Sequence, residues 1–209
     1  MTPRPRLDGY AERGGLRYRH AWVVDAVAGV DLLLVPWEGG LLVRDLVRRK
    51  GRLGADRGTR VLVALTLAGS IWIGILLRSW VPALDTPAPN VFAAVGVVVI
   101  WVGLALRVWA VLTLGRSFST FIQVDADQAV VTRGPYRWVR HPSYTGLLLI
   151  ALGFGLGVGN WLSLAICAVI PLVGLLPRIA VEEAELARVL GDQYRSYQKA
   201  TRRLVPGLW

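Results

Sequence analysis

Two long apolar stretches constrain the fold of this chain more than any other feature. Residues 61–77 read VLVALTLAGSIWIGILL, and residues 91–115 read VFAAVGVVVIWVGLALRVWAVLTLG. A membrane-spanning helix needs about 20 mostly apolar residues, because the hydrocarbon core of a bilayer is about 30 Å thick. Each stretch therefore predicts a transmembrane helix. The hydrophobic fraction of 54% agrees with this and argues against an ordinary soluble domain.

Two further apolar stretches, residues 143–160 and 161–177, are separated by a turn signal at Gly159-Asn160. They predict a helical hairpin that crosses the bilayer and returns. The charged segment 178–200 has a helical pattern and follows directly. The predicted fold class is therefore all-α, a polytopic integral membrane bundle of four to five transmembrane helices with a C-terminal helical hairpin. We treat residues 1–209 as a single membrane domain.

The apolar segment 21–43 is ambiguous. It contains Asp25, Asp31 and Glu38 and is interrupted by Pro36. Basic clusters lie on both sides of it, so a simple span would leave one cluster outside the cell. We favour an interfacial or half-inserted helix, with a fifth transmembrane helix as the alternative.

The basic residues predict the orientation. The net charge is +10, and the cations cluster in residues 4–19, 44–60 and 116–141 and after Pro177, whereas the loop 81–90 has none. Positive loops remain on the cytoplasmic side, so the C-terminus is expected there. Clusters that bracket apolar helices favour anionic lipid headgroups over nucleic acid as the partner. The bias toward arginine, with Lys50 and Lys199 the only lysines, suggests a bacterial cell membrane.

Two other classes of feature are not predicted. The only cysteine, Cys167, lies within an apolar run, which excludes a disulfide framework and argues against a cysteine-based metal site. The N-terminus is polar and basic, so no cleavable signal peptide is expected. No metal is predicted.

The stretch RGPYRWVRHPSYTG, residues 133–146, contains the first candidate site. Proline disfavours helix at the residue before it, so His141 is expected at a break where the third span begins, with Tyr144 one turn further on. A polar ligand could bind the backbone groups that such a break frees. The alternative is a basic cluster that snorkels at a helix start.

Charged residues near the cytoplasmic ends of the spans form the second candidate set. Arg178 and Glu182 are spaced i,i+4, so they are either a helix-surface ion pair or functional charges at the membrane boundary. The adjacent Glu182 and Glu183 need a nearby cation, from an arginine or a ligand. Arg107 lies inside the second span and is expected to face a cavity or a partner, with Asp25 or Asp31 as candidates.

Taken together, the motifs are more specific than any one of them. TLGRSFSTFIQ is followed by VVTRGPYRWVRHPSYTG, an apolar hairpin and RIAVEEAELARVLGDQYRSYQKATRRLVPGLW. This series closely resembles the isoprenylcysteine carboxyl methyltransferase family, which is grouped with the integral-membrane phospholipid methyltransferases. The resemblance covers residues 103–209, the expected catalytic core, and residues 1–60 contribute nothing to it.

The resemblance implies an S-adenosylmethionine-dependent methyltransferase with a cytoplasmic cofactor pocket closed by the C-terminal helix. The lipophilic or lipid substrate is expected to approach from the bilayer. No glycine-rich GxGxxG signature is present, so a soluble Rossmann methyltransferase is not expected. The implied catalytic residues are Arg178, Glu182 and Glu183. The implied cofactor-binding residues are Gln123, Gln128, Ala129, Val130, Val131, Tyr136, His141, Pro142, Ser143, Tyr144 and Glu182. Arg137 and Arg140 are expected to face lipid phosphates.

Residue chemistry leaves the methyl acceptor open. A carboxylate is already anionic and needs a cation such as Arg178 to hold it. An amine must lose a proton, which would make Glu182 the candidate base. We favour the carboxylate of an isoprenylcysteine-like or lipid-like molecule. The alternatives are N-methylation of a phospholipid amine, methylation of another isoprenoid or hydrophobic small molecule, and a catalytically inactive membrane scaffold.

Overall fold

The computed structural model describes residues 58–115 and 129–207, together with Gly40. Over these ranges the chain forms four α-helices: α1 (Thr59–Trp80), α2 (Pro89–Leu114), α3 (Pro142–Val158) and α4 (Trp161–Ala200). Two short 3-10 helices, Pro82–Leu84 and Gly134–Arg137, lie in the connections. The described ranges contain no β-strand beyond two isolated bridges. The predicted all-α membrane fold is confirmed, whereas segment 21–43 lies outside the described residues.

Three of the four predicted spans, α1, α2 and α4, are long and apolar enough to cross a membrane. The fourth, α3, is a shorter apolar helix of 17 residues, at the lower end of the range that can span. At 40 residues, α4 is roughly 60 Å long. Only its first part, residues 161–177, is needed for the bilayer, so its charged second part extends beyond it. The chain is an integral membrane protein.

The helices pack in the spatial order α2, α3, α4, α1. The closest approach joins α2 to α3, where glycines face each other in two places. A Cβ atom on Gly146 would lie 2.6 Å from the carbonyl oxygen of Gly103, and one on Gly153 would lie 2.6 Å from that of Gly96. Small residues permit such backbone contact between membrane helices. The contact fixes the start of α3 against the C-terminal half of α2.

The α3–α4 hairpin turns at Gly159 and Asn160, as predicted. Gly159 has a φ of 72°, and the Asn160 side chain accepts hydrogen bonds from the first amides of α4. The Asn160 amide also donates to the Val81 carbonyl and to Asp85. These bonds join the turn to the α1–α2 connection and fix one end of the bundle.

At the opposite end, the chain folds back over the start of α3. The helical path of α4 breaks at Gly191, where φ is 57° and ψ is −131°. After α4, the backbone runs beside the loop before α3. The Arg140 amide donates to the Arg202 carbonyl at 2.7 Å, and the His141 amide donates to the Arg203 carbonyl at 3.0 Å. The C-terminal segment therefore closes the end of the bundle that holds the candidate site.

Candidate functional site

His141 is the residue at which the loop becomes helix. Pro142 occupies the first helical turn of α3, and His141 precedes it with non-helical dihedrals of −122° and 56°, in keeping with the restriction that proline imposes. One turn on, the Tyr144 ring stacks against the His141 ring with centroids 5.5 Å apart. The predicted break is confirmed, and it presents an imidazole and a phenol on one side of α3.

A tyrosine hydroxyl lies between Arg178 and Glu182. Arg178 Nε donates to the Tyr144 hydroxyl at 3.0 Å, and that hydroxyl donates to Glu182 Oε2 at 2.6 Å. Arg178 is buried, and its Nη1 also donates to Thr59 Oγ1 at 3.3 Å. The Arg178 guanidinium is therefore buried between helices and does not lie on an exposed helix surface. Its guanidinium joins α1, α3 and α4 at the membrane boundary.

The adjacent carboxylate, Glu183, lies in a cluster of cations. Its Oε1 accepts from Arg140 Nε at 2.8 Å and lies 3.3 Å from His141 Nε2, and its Oε2 lies 3.1 Å from Arg203. Burial raises the pKa of Glu183, but hydrogen bonds from His141 and Arg140 outweigh it and lower the pKa to about 2. Glu183 is therefore ionised at neutral pH, and its charge is neutralised within the protein.

Arg140 corrects one prediction. We expected it to face lipid phosphates, but its side chain is buried against Glu183 and also donates to the carbonyl oxygens of Gln198 and Thr201 at the end of α4. The physical reason is that unpaired carbonyls at a helix end and a buried carboxylate both need a donor. Arg137 is exposed, with its guanidinium 4.0 Å from the Trp138 ring centroid.

Arg107 has a partner, as its position inside a span predicted. Its Nη1 donates to Ser143 Oγ at 2.6 Å, and both residues are buried. The bond holds the first turn of α3 against α2. Asp25 and Asp31, the partners suggested by the sequence, lie outside the described residues.

The segment before α3 faces the end of α4. Tyr136 is buried, and its carbonyl accepts a hydrogen bond from the Tyr197 hydroxyl at 2.6 Å. Burial raises the pKa of Tyr136, and the negative charge of Glu182 raises it further. A cavity of about 420 Å³ lies between this segment and α4, bordered by Val130 and Thr132 on one side and by Tyr197 and Thr201 on the other. That volume falls within the range of small-molecule sites.

Most of the described site residues predicted from the sequence come together. His141, Tyr144, Glu182 and Glu183 share hydrogen bonds or close ionic contacts, and Arg178 joins them through Tyr144. Ser143 adjoins them in the first turn of α3, and Pro142 shapes the break. Ala129 is exposed, and Gln123 and Gln128 lie outside the described residues.

Three residues that contact the site were not among the predicted site residues: Thr59, Arg140 and Arg203. The two adjacent glutamates predicted a nearby cation, and an arginine was one candidate, but spacing along the chain did not identify which arginine.

The fold and the site together define a helical membrane protein with a buried cluster of charged side chains at one end of the bundle. Residues 94–188 match the model of the isoprenylcysteine carboxyl methyltransferase family, so the resemblance carried by the motifs is confirmed. The chain is 36% identical over 103 residues to the protein-S-isoprenylcysteine O-methyltransferase of Schizosaccharomyces pombe, covering 48% of this chain and 44% of that protein. It is 35% identical over 113 residues to protein-S-isoprenylcysteine O-methyltransferase A of Arabidopsis thaliana, covering 53% and 57%.

A solved structure shares the fold. The eukaryotic intramembrane Ras methyltransferase, an isoprenylcysteine carboxyl methyltransferase, superposes with a TM-score of 0.58 at 28% identity, over 68% of this chain and 51% of that one. The chain spans about half the length of the curated relatives it matches.

Proposed function

We propose that the protein is an S-adenosylmethionine-dependent methyltransferase that acts on the carboxylate of an isoprenylcysteine-like or lipid-like molecule. The single observation that carries the proposal is the buried guanidinium of Arg178, oriented by Tyr144 and Thr59 at the membrane boundary of α4. The match of residues 94–188 to a methyltransferase family supports methyl transfer as the reaction.

The described residues fit this cofactor. S-adenosylmethionine supplies a methyl group on a positively charged sulfur and also carries an amino acid end and an adenosine. Glu182 is a carboxylate with 28% of its side chain exposed, so it can accept from a cationic ligand. Tyr136 and Tyr144 add aromatic faces, which favour a cation. The proposed cofactor-binding residues remain Gln123, Gln128, Ala129, Val130, Val131, Tyr136, His141, Pro142, Ser143, Tyr144 and Glu182.

In this proposal the protein orients the acceptor and needs no base. An acceptor oxygen bonds to the methyl carbon as the sulfur–carbon bond breaks and its electron pair stays on sulfur. Alignment of the two partners supplies most of the rate. Arg178 presents a planar set of donors that matches a carboxylate, and the Tyr144 hydroxyl holds Nε so that the plane of the guanidinium is fixed. Glu183 supports His141 and the C-terminal segment.

Amine methylation is the second candidate. Glu182 is the more exposed of the two adjacent carboxylates, and an exposed carboxylate can take the proton that an amine must lose.

For the orientation, we propose that the site and the C-terminus lie on the cytoplasmic side, because the cations of residues 133–140 and 188–203 cluster at that end of the bundle. The arginine bias supports a bacterial cell membrane.

The test is transfer of radiolabelled methyl from S-adenosylmethionine to a total lipid extract by purified protein in lipid, followed by mild base. Label released as volatile methanol identifies a methyl ester, and label that stays in the lipid favours an amine or another acceptor. Arg178→Ala should reduce ester formation by roughly 100-fold or more, whereas Arg188→Ala, at an exposed arginine on the same helix, should keep wild-type turnover. Full turnover by Arg178→Ala would contradict the proposal that this arginine holds a carboxylate acceptor.

A further inference from the structure

Tyr194 has a buried hydroxyl with no visible partner. The residue is 3% exposed, and within residues 58–115 and 129–207 its hydroxyl is the buried side-chain polar atom that lacks any hydrogen bond. Burial of an unbonded hydroxyl is costly, and more than nine-tenths of buried polar groups have a partner. An orphan of this kind indicates a group whose partner is a ligand or an ordered water.

Two other tyrosines of the site region, Tyr197 and Tyr144, have hydrogen-bonded hydroxyls. Tyr197, one turn further along α4, donates to the Tyr136 carbonyl at 2.6 Å, and the centroids of the Tyr194 and Tyr197 rings are 6.0 Å apart. Tyr144 donates to Glu182. The segment after Gly191 therefore packs with good hydrogen-bond geometry one turn away from Tyr194. Poor packing of the whole segment does not explain the orphan hydroxyl.

The surroundings of the hydroxyl are charged. Burial raises the pKa of Tyr194, and the negative charges of Glu183 and Glu182 raise it further, against a smaller opposing effect of Arg140. The hydroxyl is therefore protonated at neutral pH and available as a donor. Its ring packs against that of Tyr197, which lines the cavity of about 420 Å³ and donates to the Tyr136 carbonyl, so Tyr194 adjoins the proposed cofactor-binding residues.

We infer that the Tyr194 hydroxyl is a further cofactor-binding group, which hydrogen-bonds the amino acid end of the methyl donor. The inference rests on the proposed function. The amino acid end carries both a carboxylate, which accepts from a phenol, and an ammonium, which suits the carboxylate of Glu182. The adenosine has no charge to match these neighbours. Tyr194 then positions the amino acid end of the donor, on one side of the reacting sulfur.

The experiment is calorimetric titration of the full chain in detergent with two probes. S-adenosylhomocysteine has the amino acid end, and 5′-methylthioadenosine lacks it. Tyr194→Phe removes only the hydroxyl and should weaken S-adenosylhomocysteine binding by roughly tenfold, with unchanged affinity for 5′-methylthioadenosine. The matched control is Ser196→Ala, which removes an exposed hydroxyl from the same turn of α4 and should leave both affinities at the wild-type value. Tyr197→Phe, which loses the bond to the Tyr136 carbonyl, serves only as a comparison of stability.

Thermal unfolding without ligand separates binding from structure. Tyr194→Phe should unfold at the wild-type temperature or slightly above it, because an unbonded buried hydroxyl is removed. Tyr197→Phe should unfold at a lower temperature. Three outcomes would contradict the role of Tyr194 but leave the proposed function intact. They are a loss of stability of Tyr194→Phe without ligand, an equal loss of affinity for both probes, and wild-type affinity for both probes. Wild-type protein that binds neither probe would overturn the proposed function and this inference with it.

Discussion

Glu182 and Glu183 have different surroundings although they are adjacent in the chain. Successive residues on a helix point about 100° apart, so Glu183 faces Arg140 and the C-terminal segment while Glu182 faces Tyr144. Glu183 is 6% exposed and Glu182 is 28% exposed. At the residue scale, one carboxylate stabilises the closed end of the bundle and the other remains available to a ligand.

The contact of Arg140 with Glu183 is testable. Arg140→Met keeps much of the side-chain volume but leaves a buried carboxylate short of a cation, which costs about 3–5 kcal/mol. For a chain of this size each kcal/mol lowers Tm by about 2–4 °C, so we expect a fall of roughly 6–20 °C in thermal unfolding in detergent. Arg188→Met breaks only an exposed pair with Glu185 and should change Tm by less than about 3 °C. Equal shifts in the two variants would contradict the assigned role of Arg140.

At the element scale, contact between backbones positions α3. Because Gly103 and Gly146 face each other without side chains, the start of α3 lies close to α2, and Arg107 reaches Ser143 across the same contact. The positions of His141 and Tyr144 therefore depend on the packing of α3 against α2 as well as on Pro142. The break at Gly191 redirects the end of α4, where Tyr194 and Tyr197 are buried and Tyr197 donates to the Tyr136 carbonyl.

Gly146→Ala tests this contact. The new methyl group would lie 2.6 Å from the Gly103 carbonyl oxygen, so the helices must separate, at a cost of about 1–3 kcal/mol. We expect a lower Tm and weaker binding of S-adenosylhomocysteine, measured by thermal unfolding and titration. Gly69→Ala, where a methyl group meets nothing within 4 Å, is the matched control and should leave both quantities unchanged. Normal ligand binding by a destabilised Gly146→Ala would show that α3 is positioned independently of this contact.

At the scale of the whole molecule, the two ends of the bundle differ in charge. The end with the Asn160 turn carries Asp85, with Arg78 directed to the Val158 carbonyl. The other end carries the buried ionic cluster and exposed cations such as Arg188 and Arg195. This asymmetry predicts one orientation for the protein in its membrane.

Cysteine labelling tests the orientation. In a Cys167→Ala background, Ala83→Cys should react with a membrane-impermeant maleimide added to intact cells, because the predicted orientation places the α1–α2 connection outside the cell. Ser196→Cys, which is exposed beyond Gly191, should react only after the membrane is permeabilised. The reverse pattern would place the site outside the cell and contradict the cytoplasmic assignment.

Much of the fold followed from local pattern. Apolar length predicted the spans, Gly159-Asn160 predicted the hairpin turn, and Pro142 predicted the break at His141. Each of these features depends on residues that are close together in the chain, so the sequence alone is sufficient to predict it. The motif series also identified the family to which residues 94–188 are matched. The site residues were predicted as a set through that resemblance and not through spacing.

The sequence by itself determined which segments enter the membrane, where they turn and which polar residues lie near the ends of the spans. These properties depend on hydropathy and on backbone limits that act over a few residues. Only the tertiary structure decided the partners: Arg140 with Glu183, Tyr144 between Arg178 and Glu182, and Tyr194 with none in the described chain. Such pairings join residues dozens of positions apart. They depend on how far each helix is rotated about its axis, and that rotation is set by packing between helices.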